Sequence, residues 1–203
     1  MKKFNLEKTA QIRQNQKELE KKLKVKIILQ GRLVTIDGEA DDEYFAEKVL
    51  MALSMGFKPE EALLLLRDDF MYEEIKIKSI TQRENIEQVR GLVIGREGRV
   101  LQTLMALTES YIILHDNTVA LIAPVEHFGN LEHAIESLIR GTKHANVYKF
   151  LEECRRRMKE ESLGIIEPKE NYRKEKQKNF QNRVKKKEKH LDEDFDEDED
   201  SEE

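Results

Sequence analysis

The sequence predicts an α+β fold made of two tandem copies of one unit, each a three-stranded sheet packed by helices, with a charged tail behind them. Short β-branched strands alternate with amphipathic helices, and one constant offset along the chain aligns the first half with the second. The hydrophobic periodicity stops near residue 160, where charged residues take over. With 203 residues, the chain is long enough for two small domains with real cores.

The repeat is visible at matched positions in a helix, its closing glycine and a strand pair. The matched pairs are Glu47 with Glu132, Leu53 with Leu138, Gly56 with Gly141, Ile27 with Ile112 and, about one residue out of step, Ile36 with Ile122. Chance similarity between amphipathic helices is the alternative explanation. Because strands and helix align together, we interpret the two halves as copies of one supersecondary unit.

The first copy has the pattern of helix, strand, strand, helix and helix. We expect a helix over 6–23 with an interruption near 14–16, strands over 25–29 and 33–36, a helix that ends at Gly56 and a helix that begins at Pro59. The run 62–66 is apolar on every side, which predicts that the last helix is buried.

The second copy is the more complete one. We expect a strand over 72–80, helices over 85–93 and 99–109, strands over 111–115 and 118–123, and helices over 131–140 and 145–157. Residues 95–98 connect the first two of these helices, and Asp116 and Asn117 form the turn between the last two strands.

The net charge of −5 hides a segregation along the chain. Residues 192–203 hold ten acidic and no basic residues, residues 169–191 hold ten Lys or Arg against three Glu, and the rest carries only −2. Blocks of like charge cannot bury a core. The sequence therefore predicts one domain over 1–70, a second over 71–160 and a disordered tail over 161–203 that is first basic and then acidic.

Composition and spacing disfavour several functional classes. No apolar run reaches the length of a membrane span, and the start lacks the core of a signal peptide. The single cysteine, Cys154, fits a reducing interior, so we expect a cytoplasmic protein. The histidines lack metal-ligand spacing and no nucleophile has a recognisable context. We therefore expect no metal, no cofactor and no catalytic residue.

The stretch from Ile94 to Arg99 carries the candidate binding chemistry. A glycine lets a nucleic-acid backbone approach the protein backbone where a Cβ would intrude. Gly98 precedes a helix whose first N–H groups and dipole favour phosphate. Arg96 and Arg99 can pair with phosphate oxygens, whereas Glu97 cannot and is expected to face solvent. Two glycines three apart occur by chance in many chains, so the motif gains weight only from the ordered pattern around it.

The order of the elements, with residues 93–99 at the joint, resembles a type I KH domain. Two such copies, with GTKH at 141–144 and VYKFLE at 147–152, resemble the tandem-KH ribosome-assembly factors of the partner-of-Nob (Dim) and Krr types. Residues 56–63 are similar to the first copy of that family. The resemblance covers roughly residues 1–158 and favours the compact archaeal form.

This resemblance implies an RNA-binding protein without catalytic residues. Its ligand would be single-stranded RNA of the 3′ region of small-subunit pre-rRNA, and its partners the processing endonuclease and other assembly factors. In this family the second copy carries the glycine loop. Here residues 13–16 stand where the glycines of the first copy would fall, with too few residues before them for a strand and a helix. We expect a degenerate first copy that serves packing or a partner.

The predicted RNA-binding set combines the loop with residues expected near it: Ile94, Gly95, Arg96, Glu97, Gly98, Arg99, Val100, Leu101, His115, Lys143 and His144. The apolar residues Val100, Leu101, Leu104 and Ile112 are candidates for contact with bases. Ordinary core packing is the alternative for each of them.

The polar candidates outside the loop each have a second interpretation. His115 is interpreted either as a contact to a base edge or as a solvent-facing histidine. Lys143 and His144 are interpreted either as RNA or partner contacts or as the start of a helix. The triplet 155–157 is either a phosphate contact or a group of cations that stabilises the end of a helix.

A second hypothesis makes the chain a protein-interaction adaptor. The KH folds would then dock proteins, and the charged tail would recruit them. The nearly neutral folded part, the missing loop of the first copy and the acidic end favour this hypothesis. Removal of the tail would abolish partner capture under this hypothesis, and would largely preserve RNA binding under the first.

Overall fold

Two antiparallel three-stranded sheets packed by helices make up the structure, a computed structural model that describes residues 2–165. This architecture confirms the predicted α+β fold. The charged tail predicted from residue 161 onward lies outside the described residues except for its first five. The domain division after residues 70 and 160 stays a prediction.

The first sheet has the strand order β1-β3-β2. Its strands are β1 (Lys2–Asn5), β2 (Lys26–Gln30) and β3 (Leu33–Asp37), and its helices are α1 (Ala10–Leu23), α2 (Ala40–Met55) and the short α3 (Pro59–Ala62), which continues as a 3-10 turn (Leu63–Leu66). As predicted, Gly56 ends α2 in a left-handed conformation and Pro59 occupies the first turn of α3.

The second sheet has the equivalent strand order β4-β6-β5. The elements are β4 (Phe70–Lys76), α4 (Ile77–Ile80), α5 (Ile86–Ile94), a 3-10 turn (Arg96–Gly98), α6 (Arg99–Thr108), β5 (Tyr111–His115), β6 (Thr118–Pro124), α7 (Val125–Ile139) and α8 (His144–Ser162). Helices therefore flank the Gly95–Gly98 link on both sides, as the sequence predicts.

The strand registers refine the alignment of the two copies. Ile27 pairs with Ile36 in the first sheet, and Ile112 pairs with Leu121 in the second. The offset that aligns Ile27 with Ile112 therefore aligns Ile36 with Leu121. The expected slip of one residue toward Ile122 is wrong, because the hairpin turns of the two copies have the same length.

The copies differ in the segment that connects their first and second strands. Lys2 pairs with Ile36 and Glu73 pairs with Leu121, so Lys2 corresponds to Glu73 and the connection that follows is longer in the second copy. In the first copy α1 alone spans the connection that α4, α5 and α6 span in the second. The expectation that too few residues precede residues 13–16 for both a strand and a helix is confirmed, because the four-residue β1 is present and no helix lies between it and α1.

Helix α1 runs without a break, so the expected interruption near residues 14–16 is wrong. The amide of Asn15 donates to the carbonyl oxygen of Gln11 at 2.9 Å, within the helix. The amide of Gln16 donates to the carbonyl oxygen of Ile27 at 2.7 Å, on β2. These polar side chains therefore tie α1 to itself and to the sheet instead of competing with the helix.

Strand β4 ends at Lys76, four residues before the predicted end. Its partner β6 begins at Thr118, directly opposite Lys76, so no strand remains to pair with the following residues. The chain turns into α4 instead, where the N–H of Thr81 donates to the carbonyl oxygen of Ile77 at 3.2 Å. Ile77 is buried, so a helical turn satisfies the apolar spacing that predicted a longer strand.

The last two helices are longer than the periodicity predicts. Helix α7 begins at Val125 instead of residue 131, and its additional first turns bury Phe128. Helix α8 continues to Ser162, where two Arg–Glu pairs at i,i+4 spacing support its last turns. Within residues 2–165, no helix combines the length and the apolar character that a bilayer crossing requires.

The apolar run 62–66 is not a helix buried on every side. Ala62 and Leu65 are buried, but Leu66 is 38% exposed. Helix α3 ends at Ala62, and the rest of the run is a 3-10 turn. So short an element presents only one face to the core, and its other side chains lie at the surface.

Strand β6 joins the cores of the two copies. Val119, Leu121 and Ala123 pack against helices of the second copy. Ala120 and Ile122 point to the opposite face of the sheet and belong to the core of the first copy. All five side chains are fully buried, so both faces of the second sheet are covered along its middle strand.

We expect Ile122→Ala to lower the free energy of unfolding by about 2–5 kcal/mol, as Leu121→Ala should, because each removes a buried branched side chain. Ile28→Ala is the control, because Ile28 is 39% exposed and its loss should cost far less. Urea unfolding of the three variants measures these differences. If Ile122→Ala behaved like the Ile28 control, the face of β6 toward the first copy would be exposed in solution.

Candidate nucleic-acid interface

Gly95 forms the sharp exit from α5. Its backbone has φ 74° and ψ 176°, a region that essentially only glycine occupies. Its N–H donates to the carbonyl oxygen of Gly91 at 2.8 Å, which closes the last turn of the helix. A Cβ at this position would lie 2.1 Å from Cγ2 of Val100. Gly95 is therefore required by the packing of the loop against the first turn of α6.

Gly98 has a different environment. It is also left-handed, with φ 75° and ψ 7°, but no atom lies within 4 Å of the position that a Cβ would take. It directly precedes α6, and no side chain caps that helix end. The first N–H groups of a helix carry partial positive charge and attract anions. Gly98 thus leaves open backbone at a helix N-terminus, which is the geometry that a phosphate needs.

Glu97 lies between the two glycines and is itself left-handed, with φ 55°. Its side chain faces solvent, as the sequence predicts, and its carboxylate accepts a hydrogen bond from Nη2 of Arg99 at 2.8 Å. Both side chains are well exposed, and an exposed ion pair contributes only about 0–1 kcal/mol. A phosphate therefore competes easily for Arg99.

Arg96 is the exposed cation of the loop that makes no ion pair within the described part of the chain. The loop residues Arg96, Glu97 and Arg99 together carry a formal charge of +1. Because Arg96 lies two residues before Gly98, its guanidinium is available to an anion that approaches the open backbone there.

The apolar candidates divide into core and surface residues. Val100, Leu104 and Ile112 are at most 6% exposed and belong to the core of the second copy. Leu101 is only partly buried against the same core. Leu114 is also partly buried there and was missed, although its alternation with Ile112 on β5 places it on the same face. The half-exposed Leu101 and Leu114 are better placed for a base than the three core residues.

Helix α8 begins beside the end of α5. Nε2 of His144 lies 2.8 Å from the carbonyl oxygen of Leu92, three residues before Gly95. This contact assigns His144 a positioning role, and it brings the exposed Lys143 to the base of the loop. The structure thus brings the start of α8 beside the end of α5, three residues before Gly95, although a long stretch of sequence separates the two helices.

His115 is not part of this group. It follows Ile113 on the face of β5 that packs toward the first copy, opposite the face of the α6 contacts. There its ring nitrogen lies near the carboxylates of Glu7 and Asp116, and the three possible ligand atoms are within 4.8 Å of one another. Exposed acidic groups of this kind are common without an ion. His115 therefore belongs to the junction between the copies.

Each arginine of the basic triplet near the end of α8 forms an ion pair, and the pairs of the first two are long and exposed. Arg155 lies 3.7 Å from a carboxylate oxygen of Glu109, and the next two arginines pair with glutamates one turn later in the helix. These pairs favour the stabilising role over the phosphate-binding one.

Gly95→Ala should lower the free energy of unfolding by about 2–6 kcal/mol, because backbone strain and overpacking each cost about 1–3 kcal/mol. Gly98→Ala should cost only about 1–2 kcal/mol, because its left-handed backbone is strained by a Cβ but the space is free. Chemical denaturation measures both.

A second substitution tests whether the contact with Val100 causes the loss of stability in Gly95→Ala. Val100→Ala removes the Cγ2 atom that the added Cβ meets first, so the Gly95→Ala/Val100→Ala variant should be less destabilised than the sum of the single variants. If the loss of stability in the double variant equalled the sum of the losses in the single variants, the contact between these two residues would not determine the conformation of the loop.

Comparisons with known proteins agree with this geometry. Residues 71–156 match the model of a eukaryotic-type KH domain (KH-domain type I), the second such domain of PNO1. The chain is 35% identical over 150 residues to a KH domain-containing protein of Methanocaldococcus jannaschii, an alignment that covers 70% of this chain and 66% of that protein. It is 27% identical over 154 residues to the pre-rRNA-processing protein PNO1 of Chaetomium thermophilum, covering 74% and 56%.

Solved structures give the same result. Dim2p from Pyrococcus horikoshii is 28% identical with a TM-score of 0.69, and the match covers 75% of this chain and 98% of that one. A chain in a complex of a/eIF2alpha, aDim2p and rRNA from the same organism has equal identity and TM-score, with coverages of 77% and 94%.

The chain spans about two thirds or less of the length of the curated relatives it matches. The matched domain type binds RNA and supports the expectation of a binding protein in place of an enzyme. Sequence similarity, family model and structural similarity identify one group of proteins. This chain belongs to the KH-domain ribosome-assembly factor family, whose members include the pre-rRNA-processing protein PNO1 and archaeal Dim2p.

Proposed function

We propose that this chain is an RNA-binding factor of small ribosomal subunit biogenesis that clamps single-stranded pre-rRNA, in its 3′ region, at the loop of the second copy. The observation that carries the proposal is the open backbone at Gly98, which directly precedes the uncapped start of α6. Relatives named as pre-rRNA-processing proteins and a Dim2p structure that contains rRNA support the choice of ligand.

The phosphate backbone would contact the loop first. Gly98 lets a phosphate reach the N–H groups at the start of α6, where the helix dipole stabilises negative charge. Arg96 and Arg99 then supply charged donors on either side of that position. Release of Arg99 from Glu97 is the small cost of this step, because the pair is exposed.

The bases would lie beyond the phosphates on the apolar surface next to the loop. Leu101 on α6 and Leu114 on β5 are half-buried, and each packs on one side against the core. Lys143 adds a further cation at the base of the loop, where the contact of His144 with Leu92 holds it. In this mechanism the backbone supplies affinity and the apolar surface supplies a preference among bases.

We further propose that the chain works in the cytoplasm together with the endonuclease that trims the same RNA and with other assembly factors. Membership of a ribosome-assembly family supports this partner class. The chain needs a catalytic partner under this proposal, because its own role is to hold RNA in place.

Gly98→Asp should weaken binding of single-stranded RNA from the 3′ end of small-subunit rRNA at least tenfold, because a carboxylate would occupy the place of the phosphate. Gly31→Asp is the matched control: Gly31 has φ 64° in the first copy and likewise no atom within 4 Å of its Cβ position. Fluorescence anisotropy with a labelled RNA measures both affinities.

Circular dichroism should show the same secondary structure for the two variants, since both introduce the same side chain at a left-handed glycine in open space. Equal RNA affinity of Gly98→Asp and Gly31→Asp would contradict the clamp. Affinity of the unmodified chain should also fall with rising salt if phosphate contacts contribute.

The adaptor hypothesis remains the second candidate, because the first copy has a continuous helix in place of a glycine loop. Truncation after Ile165 separates the two functions and leaves α8 whole, since that helix ends at Ser162. Under the RNA-binding proposal, the truncated chain should keep most of its affinity for the 3′-end RNA.

Pull-down of the endonuclease and anisotropy with the RNA, both performed on full-length and truncated chains, measure the difference. Loss of the endonuclease together with unchanged RNA binding would assign recruitment to the tail. Loss of most RNA affinity on truncation would instead show that the loop of the second copy is not the main RNA site.

A further inference from the structure

Residues 192–203 carry one aromatic ring inside a run of carboxylates. This stretch holds ten Asp or Glu and no Lys or Arg, and Phe195 is its single aromatic residue. Asp194 and Asp196 stand directly on either side of the ring in the sequence. We call residues 192–203 the acidic segment. A single-stranded nucleic acid has the same two chemical features, since it joins anionic phosphates to flat bases that stack on apolar surfaces.

The glycine loop of the second copy complements both features. Arg96 is exposed and makes no ion pair within residues 2–165, and the open backbone at Gly98 precedes the uncapped start of α6. A carboxylate accepts hydrogen bonds from the first N–H groups of a helix, as a phosphate does. Leu101 on α6 and Leu114 on β5 add half-buried apolar surface. The loop therefore suits a ligand that joins carboxylates to an aromatic ring.

The acidic segment can reach the loop of its own chain. Helix α8 begins beside the loop, where the ring of His144 lies 2.8 Å from the carbonyl oxygen of Leu92. The helix has 19 residues, so its end lies about 28 Å from its start. The 26 residues from 166 to 191 span at most about 90 Å. This connection is several times longer than the distance that it has to bridge.

The tether compensates for the weakness of each charge contact. An exposed ion pair is weak by itself, and Arg99 has to leave Glu97 to bind a new anion. A segment of the same chain, however, meets the loop at an effective concentration on the order of 1 mM. A contact with a dissociation constant of about 0.5 mM is then formed in about two thirds of the molecules. Weak contacts are therefore enough to cover the loop most of the time.

We propose that the acidic segment docks on the glycine loop of its own chain, with Phe195 against Leu101 and Leu114, and competes there with RNA. The competition rests on the function proposed above, whereas the docking does not. Its consequence is selectivity, because an RNA occupies the loop only when its contacts outweigh those of the tethered segment.

The docking is tested by nuclear magnetic resonance on the full chain, isotope-labelled at its nine glycines. In the neutralised variant, the five Asp and five Glu of the acidic segment are replaced by Asn and Gln. Phe195→Ser removes the ring and keeps the charges, and Phe180→Ser is its matched control in the basic stretch before the acidic segment. The amide signal of Gly98 reports on the loop. Gly31 is the reference, because it is also left-handed in open space but lies in the first copy.

Neutralisation should move the Gly98 signal and leave the Gly31 signal in place. Phe195→Ser should move the Gly98 signal part of the way in the same direction, because the ring is lost and the ten charges remain. Phe180→Ser should match the unmodified chain. Salt raised from about 0.1 M to 1 M should reduce the difference between the unmodified chain and the neutralised variant, because the screening length falls from about 10 Å to 3 Å.

The competition is measured by fluorescence anisotropy with an RNA of about four nucleotides, which fills a KH clamp. At low salt the neutralised variant should bind this RNA about threefold more tightly than the unmodified chain, because a competitor at about twice its dissociation constant weakens binding about threefold. Phe195→Ser should bind with an affinity between the two. Since Phe195→Ser keeps every charge, its gain cannot come from reduced repulsion between the acidic segment and the RNA.

An unmoved Gly98 signal in the neutralised variant would overturn the proposal, since the acidic segment would then bind elsewhere, such as the basic stretch at 169–191. Equal Gly98 signals in Phe195→Ser and Phe180→Ser would also overturn it, because charge alone would then hold the segment.

The proposed function is judged separately. If the Gly98 signal moved as expected while every variant bound RNA equally, RNA would bind away from the loop, so the clamp would fail and the docking would stand. If Gly98→Asp weakened RNA binding while neutralisation left the Gly98 signal unmoved, the clamp would stand and the docking would fail.

Discussion

The burial of strand β6 on both faces is the constraint on which the rest of the structure depends. Its middle position in the second sheet fixes the registers of β4 and β5. Leu121 anchors the helices that carry the loop, and Ile122 anchors the first copy. The hydrophobic contribution to stability scales with the apolar area removed from water. Because both faces of β6 are buried, the strand stabilises the cores of both copies. The loop and α1 are thereby held in one molecule with fixed relative positions.

The loop separates two requirements that a G-x-x-G motif usually presents together. Gly95 is required by the protein itself, since Val100 occupies the space of its missing Cβ. Gly98 meets no protein atom and leaves backbone open to a ligand. Glu97 adds a left-handed residue between them and occupies Arg99 in the free protein. Strain and packing thus shape the loop at Gly95, whereas the second glycine lies in open space, where we propose that the phosphate binds.

The two copies differ in the connection between their first two strands. The second copy has the longer connection between its first two strands, and the added length allows a separate helix and an open link before α6. In the first copy the connection is one continuous helix with no glycine link inside it.

The sequence by itself determined most element types, the repeat and the loop, because helix periodicity, turn residues and left-handed glycines are local properties, but it missed β1, which pairs with β3 only in the folded sheet. It could not determine where β4 ends, since that depends on the partner strand opposite Lys76. Nor could it tell that Val100 is core, that His144 contacts Leu92, or that His115 lies on the far face of the sheet. Those facts depend on which surfaces meet across long sequence separations, and only tertiary packing decides that.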